Sequence, residues 1–210
     1  MSKNNRQKKQ DKALLKQTEG RRSIKPLEAL SEAQSHYMHC IESSIITFGV
    51  GSAGTGKTYC SVAMAGQALF NRDVDKIIIT RPAVESGAKM GHLPGTLEEK
   101  FAPYLNPIQE VLIARFGKGW YESQVNNGNI VAVPLAYMQG HTFDNAFVLA
   151  DEMQNSTPDE MFMFLSRIGE YAKVVINGDY RMQKMVRGKS GLEDGIDILE
   201  GLSSVSVYAF

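Results

Sequence analysis

The chain has 210 residues, balances 23 Lys+Arg against 23 Asp+Glu, and is 43% hydrophobic. That length and composition suit one α/β domain with a substantial core. No apolar run approaches the length of a membrane span, and neither the two cysteines, Cys40 and Cys60, nor the four dispersed histidines make a metal-ligand spacing.

The neutrality hides an asymmetry. Residues 1–25 hold nine basic residues (Lys3, Arg6, Lys8, Lys9, Lys12, Lys16, Arg21, Arg22, Lys25) against Asp11 and Glu19, leaving 14 basic and 21 acidic residues in 26–210. This head has no apolar stretch, so it is not a signal peptide. Its composition predicts a disordered basic tail, either able to touch phosphate backbones or simply solvated. Free thiols and the absence of a leader predict a cytoplasmic protein.

From Pro26 the composition changes. Leu27, Leu30, Ala33, Tyr37 and Ile41 sit at helix-compatible spacings, which marks the start of a domain over 26–210. Gln34 lies on this segment; a side-chain amide both donates and accepts, so it suits the edge of an adenine, although a helix-surface glutamine serves as well.

Next, Ile45-Ile46-Thr47-Phe48-Gly49-Val50 reads as a buried strand, and it runs into Gly51-Ser52-Ala53-Gly54-Thr55-Gly56-Lys57-Thr58. That stretch fits the phosphate-binding loop G-x-x-x-x-G-K-[ST]. A proline-free apolar segment over 59–70, opening at Tyr59, then suits a buried helix. Strand, glycine loop and helix is the order such a loop requires, because backbone N–H groups and the positive end of the helix dipole both face the phosphates. Lys57 is expected to reach the β- and γ-phosphates, and the Thr58 hydroxyl to ligate Mg²⁺.

Further strands are predicted at 76–80, ending at Arg81-Pro82, and at 129–133, ending at Pro134. Between them, 83–103 reads as a long functional loop, 105–116 as helix and 118–128 as connection. A fourth strand, 146–150, delivers Asp151-Glu152 to its C-terminal end, the edge where open parallel sheets bind ligands. Asp151 there suits Mg²⁺, and Glu152 suits orienting or deprotonating a water. Ser156 or Thr157 caps a helix starting at Pro158, with Glu160 in its first turn. Strand 173–177 ends in Gly178-Asp179, 191–201 suits a last helix and 204–210 a last strand. Strands alternating with helices predict a doubly wound, mainly parallel α/β sheet.

Together these segments resemble the PhoH family, the phosphate-starvation-inducible ATPases related to superfamily-1 helicase cores, and look most like the short versions carried by phages. The resemblance runs from about Gln34 to Phe210. Beyond the phosphate loop it rests on Thr80-Arg81-Pro82-Ala83-Val84-Glu85, Leu93-Pro94-Gly95, Pro134-Leu135-Ala136-Tyr137-Met138, Asp151-Glu152-Met153-Gln154-Asn155, Asn177-Gly178-Asp179 and Ser190-Gly191-Leu192.

The resemblance implies a single RecA-like domain that binds and hydrolyses ATP with Mg²⁺. Lys57 and Glu152 are then the catalytic residues, and Thr58 and Asp151 the metal ligands. The nucleotide contacts are Gln34, Gly51, Ser52, Ala53, Gly54, Thr55, Gly56, Lys57, Thr58, Tyr59, Asp179 and Gln183. It further suggests RNA or single-stranded DNA as partner.

Three departures stand out. Met182 occupies the place where the family has a glutamine after Gly-Asp, with Gln183 one later. Gln139-Gly140-His141 stands where the family commonly carries an arginine. The chain stops before a further arginine-containing segment. Because a lone lobe lacks the second lobe's arginine, a homo-oligomeric ring is expected, with Arg81, Arg167, Arg181 or, preferably, Arg187 donated to a neighbour. A nucleotide-gated binding or assembly module with little turnover is the alternative reading. A small-molecule phosphotransferase on the same scaffold fits less well, since Glu152 suits activation of water.

Overall fold

The structure is a computed structural model that describes residues 24–82, 97–182 and 188–210, with only the backbone path over 97–104. The basic head up to residue 23, Glu85, Leu93-Pro94-Gly95, Gln183 and Arg187 lie outside the described residues.

Six parallel strands form the sheet: β1 (Ile46–Val50), β2 (Lys76–Thr80), β3 (Ile130–Ala132), β4 (Ala146–Ala150), β5 (Lys173–Gly178) and β6 (Val205–Ala209), in the order β3-β2-β4-β5-β1-β6. Among the described residues six helices accompany them: α1 (Glu32–Ser43), α2 (Lys57–Asn71), α3 (Leu97–Phe116), α4 (Lys118–Asn126), α5 (Pro158–Leu165) and α6 (Gly191–Leu199).

The strands are apolar on both faces because both faces are covered. Ile77 and Ile79 of β2, Phe147 and Leu149 of β4 and Val175 of β5 pack in one cluster with α1, α2 and α3. Ile78, Val148, Val174 and Ile176 point the other way, into a second cluster with Met161 and Phe164 of α5 and Leu192 and Ile196 of α6. The doubly wound parallel sheet predicted from the alternation of elements is therefore present. Capping boxes fix the starts of α5 (Thr157 with Glu160) and α6 (Ser190 with Glu193).

Two expectations for the middle of the chain are corrected. Helix α3 begins at Leu97 rather than near 105, although Pro103 and Pro107 fall within it. Its C-terminal half is pinned to the core by Ile108, Leu112 and Phe116, and a helix anchored at one end gains a hydrogen bond for each residue it adds. Residues 118–126 are helix, not connection. Gly117, at φ 88°, ends one helix and starts the next. Trp120 then stacks on Phe116, with ring centroids 4.7 Å apart, and faces Phe70 at 6.3 Å. No residue of α4 is fully buried, so the segment carries little periodicity to read.

Helix α1 is held at both ends. Ser31 caps its start by accepting from the Gln34 N–H at 3.2 Å. At its other end the Lys173 ammonium donates to the carbonyls of Ile41, Glu42 and Ser44 at 2.6, 2.8 and 3.0 Å. Desolvation lowers the Lys173 pKa, partly offset by Glu42. Lys173→Met keeps the stem but strands three carbonyls, so it should cost about 1–3 kcal/mol in denaturant unfolding. An unchanged midpoint would assign this cap no role in fixing α1.

Candidate functional site

The parallel ladder puts the ends of all the strands on one edge of the sheet, and β5 lies between β1 and β4. The loop after β1, the carboxylates after β4 and Asp179 after β5 therefore converge. They enclose a cavity of about 340 Å³. The phosphate loop contributes Gly51, Ala53, Gly54, Gly56, Lys57, Thr58 and Tyr59 to its lining, β4 contributes Asp151, Glu152 and Gln154, and β5 contributes Gly178, Asp179 and Met182. Of the other described candidates, Ser52, Thr55 and Gln34 stand outside that lining.

Gly54 and Gly56 adopt φ of 84° and 94°, which side-chain-bearing residues rarely take, and a Cβ on Gly56 would also strike Gln34. Helix α2 starts without a side-chain cap, so its first N–H groups are offered to whatever occupies the loop. Lys57 is buried and curls back on the loop, donating to the carbonyls of Gly51 (2.6 Å) and Ser52 (2.8 Å) and to Thr55 Oγ1 (3.2 Å). Desolvation lowers its pKa, opposed by Asp179, Asp151 and Glu152. The Phe210 ring lies 5.8 Å from its ammonium.

Gln34 sits outside the cavity but against the loop. Its Nε2 donates to Thr55 O at 3.1 Å, and its Oε1 accepts from the Leu30 N–H at 2.9 Å. One N–H and one lone pair of the amide remain for a further partner.

Asp151 and Thr58 face each other, the hydroxyl 3.4 Å from both carboxylate oxygens. Desolvation raises the Asp151 pKa, as does the neighbouring Glu152, while Arg81, the Glu152 backbone N–H and Thr58 pull it down. A carboxylate whose charge is penalised in this way, opposite a helix-start hydroxyl, suits a hard divalent cation. Mg²⁺ commonly takes only one or two protein oxygens, completing its shell with water and phosphate. Among the described residues no cluster of three His, Cys, Asp or Glu offers a fuller cage.

Glu152 has a left-handed backbone, φ 57°. Both of its carboxylate oxygens have partners: Oε2 accepts from Gln154 Nε2 at 2.6 Å, and Oε1 lies 3.4 Å from the Arg81 guanidinium. Gln154 is fully buried, and its Oε1 accepts from the Asp179 N–H at 3.1 Å. It thus ties β4 to β5 across the site. A Cβ on Gly178 would come within 2.8 Å of that same oxygen, so only glycine admits Gln154 here.

Sequence reasoning quoted Gln154 within a motif and gave it no role; the available signal was an amide two residues beyond the acid pair. It also missed a buried polar chain. The Tyr37 hydroxyl donates to Asn177 Oδ1 at 2.5 Å, Asn177 Nδ2 donates to Ser61 Oγ at 3.1 Å, and Ser61 donates to Thr58 O at 3.2 Å. Gly49 makes room for it, since a Cβ there would lie 2.6 Å from Asn177 Oδ1 and 2.7 Å from the Tyr37 oxygen.

The described arginine candidates separate. Arg81 is engaged within its own chain by Glu152. Arg181 is exposed two residues past Asp179, whose Oδ1 accepts its backbone N–H at 2.9 Å. Arg167 follows α5 and hydrogen-bonds through its carbonyl to Phe143, at the opposite, N-terminal edge of the sheet.

Residues 26–210 match the family described as PhoH-like protein. Protein PhoH of Escherichia coli K12 is 43% identical over 192 residues, covering 90% of this chain and 54% of that protein. A PhoH-like protein of Bacillus subtilis 168 is 42% identical over 184 residues, covering 87% of this chain and 58% of that one. The chain thus spans little more than half the length of these curated relatives. The UvsW helicase from bacteriophage T4 superposes with a TM-score of 0.52 at 11% identity, covering 90% of this chain and 62% of that one. That likeness is one of fold, the RecA-like domain of helicases.

Because folding raises the Asp151 pKa, the residue contributes stability while protonated, at pH below the ordinary carboxylate range, and loses it as pH rises through the raised value. At pH 7.5 in EDTA, Asp151→Asn should therefore melt no lower than the parent. Mg²⁺ with ADP should raise the melting temperature of the parent more than that of the variant. A variant less stable in EDTA, with an undiminished Mg²⁺ shift, would remove Asp151 from the metal site.

Proposed function

The chain belongs to the PhoH-like protein family, and on that premise we propose that it is a Mg²⁺-dependent ATPase whose turnover is coupled to RNA or single-stranded DNA. The observation that carries the reading is one cavity lined by the phosphate loop, Lys57, Asp151 and Glu152.

In this reading the N–H groups of the loop and of the start of α2 bind the phosphates, and Lys57 exchanges the carbonyls of Gly51 and Ser52 for phosphate oxygens. Thr58 and Asp151 hold Mg²⁺, which neutralises charge on the β- and γ-phosphates when bound. Glu152 accepts the proton of the attacking water, oriented by the amide of Gln154. Asp179 and Gln183 contact the γ-phosphate side, Gln34 reads the adenine across the loop from Thr55, and Tyr59, half exposed on α2, borders the nucleotide. The basic head over 1–25 adds phosphate-backbone contacts to the domain over 26–210.

In the same reading a homo-oligomer brings Arg181, Arg187 or Arg167 of one subunit to a neighbouring site, where its charge faces the γ-phosphate. The cytoplasm is the proposed compartment, from two free thiols: Cys60 is buried and pushed up to about 11 by desolvation, out of the reactive range. Among the described residues no helix is long and apolar enough to cross a membrane.

One observation favours the second reading, a nucleotide-gated module with little turnover: both oxygens of Glu152 are engaged by donors. Phosphate release from MgATP, with and without oligo(U), separates the two. Glu152→Gln should cut release by about 10²–10⁴ with ATP still bound, and Lys57→Ala should lose ATP binding itself while remaining folded. Parent-rate release by Glu152→Gln would end the hydrolytic reading. Deleting residues 1–25 should weaken oligo(U) binding and flatten its salt dependence; equal affinity at every salt concentration would assign the head no binding role.

A further inference from the structure

Arg81 occupies a position that the phosphate chemistry leaves unexplained. It is the first residue past β2, and β2 pairs with β4 so that Thr80 stands beside Ala150. The Asp151 N–H donates to Thr80 O at 3.0 Å, which continues the ladder past the strand end. Arg81 and Glu152 thus emerge side by side at the sheet edge, and the guanidinium lies 3.4 Å from Glu152 Oε1. Arg81 keeps 23% of its side-chain exposure and Glu152 39%, so the pair can be reached from solvent.

On its other side Arg81 meets the end of β3. Its carbonyl accepts from the Leu135 N–H at 3.2 Å, in register with the bond from the Val133 N–H to Ile79 O. A single 3₁₀ turn, Leu135–Tyr137, follows. Leu135 and Met138 are buried in the core, whereas Tyr137 between them is 59% exposed. A large aromatic held outward on a turn anchored at both ends is a stacking platform. Gln139 and His141 continue the exposed polar surface beyond it. An arginine at the strand end and an exposed tyrosine on the turn hydrogen-bonded to its backbone match the chemistry of a single strand, a phosphodiester for the guanidinium and a base for the ring.

We propose that a single strand binds along this edge through Tyr137 and Arg81, and that Arg81 is the positioning residue that reports its arrival to Glu152. The argument rests on the reading of Glu152 as the carboxylate that activates water. Arg81 serves two anions, Glu152 Oε1 within the chain and a phosphodiester of the strand. When the strand takes the guanidinium, Glu152 keeps Gln154 as its partner and is released from Arg81, so hydrolysis is tuned to strand occupancy. The coupling is reciprocal, as every equilibrium coupling must be. Loosening Arg81 from Glu152 strengthens strand binding even when no nucleotide is turned over.

The test is fluorescence anisotropy of labelled oligo(U), with oligo(dT) as a second arm to separate RNA from DNA, in EDTA without nucleotide and across a salt series. Glu152→Gln should bind about fivefold more tightly, the scale of one partly exposed ion pair. Arg81→Ala should weaken binding and lower the slope of log affinity against log salt by about one. Tyr137→Ala should weaken binding at unchanged slope.

The double variant decides the matter. In the Arg81→Ala background Glu152→Gln should change nothing. An equal tightening there would mean only the loss of a repelling carboxylate, and the latch would be overturned. It would also be overturned if Glu152→Gln left affinity unchanged, or if the parent bound neither strand. Where Arg81→Ala does not fold, Arg81→Gln takes its place. Phosphate release by the parent is read separately: a parent that turns over ATP but lacks the coupling refutes the latch alone. A parent with the coupling but no turnover refutes the hydrolytic reading and leaves the Arg81 linkage standing.

Discussion

Everything at the site depends on the parallel pairing that places β5 between β1 and β4. Parallel strands in register end together, so residues far apart in sequence reach one edge without any loop having to carry them. The β1–β5 register ends with Val50 opposite Gly178, and the Gly51 N–H then donates to Gly178 O at 3.1 Å. The phosphate loop leaves the sheet from that bond. On the other flank of β5 the pairing with β4 runs to Ala150 opposite Ile176, which leaves Asp151 and Glu152 to project beyond it. A one-residue slip in either ladder would turn these side chains to the wrong face. The apolar faces of β4 and β5 forbid the slip, since both clusters would lose their contacts together.

Within that frame, polar groups do the fine adjustment. Gln154 spans from Glu152 to the Asp179 backbone, and the chain from Tyr37 through Asn177 and Ser61 reaches the carbonyl of Thr58. Both are buried, where an unsatisfied partner costs most. The chain from Tyr37 links this edge of the sheet to α1, the helix that also carries Gln34. The Lys57 ammonium is held by the loop itself, and the Thr58 hydroxyl by Asp151. Burial pushes the Tyr37 hydroxyl well above the usual tyrosine range, so it remains a hydrogen-bond donor throughout the physiological range.

Much of this was legible in the sequence. Five apolar runs and an alternating sixth matched the strands to within a residue or two, because a strand buried on both faces is a continuous run and the less buried β6 alternates. That the glycine loop and the acid pair meet at one edge was legible because each follows directly on an apolar strand of the same parallel sheet. What escaped were contacts between distant residues. Arg81 read as one of four arginines that could be donated to a neighbour, and its pairing with Glu152, 71 positions along in sequence, became visible only with β2 and β4 adjacent in space. Tyr37 read as a core aromatic, and its hydroxyl partner Asn177 was visible only once β5 stood beside β1. The Lys118–Asn126 helix escaped because none of its residues is fully buried and its longer-range anchor, Trp120 on Phe70, joins it to a distant helix.

The central claim is that the Lys57 ammonium, now satisfied by the carbonyls of Gly51 and Ser52, is the phosphate ligand of an ATP site. A crystal structure with Mg²⁺ and a non-hydrolysable ATP analogue tests it most directly. The account predicts the β- and γ-phosphates in the cavity, Lys57 Nζ moved from the two carbonyls onto phosphate oxygens, and Mg²⁺ beside Thr58 and Asp151. An analogue bound elsewhere, or one bound with Lys57 still on the loop carbonyls, would contradict it.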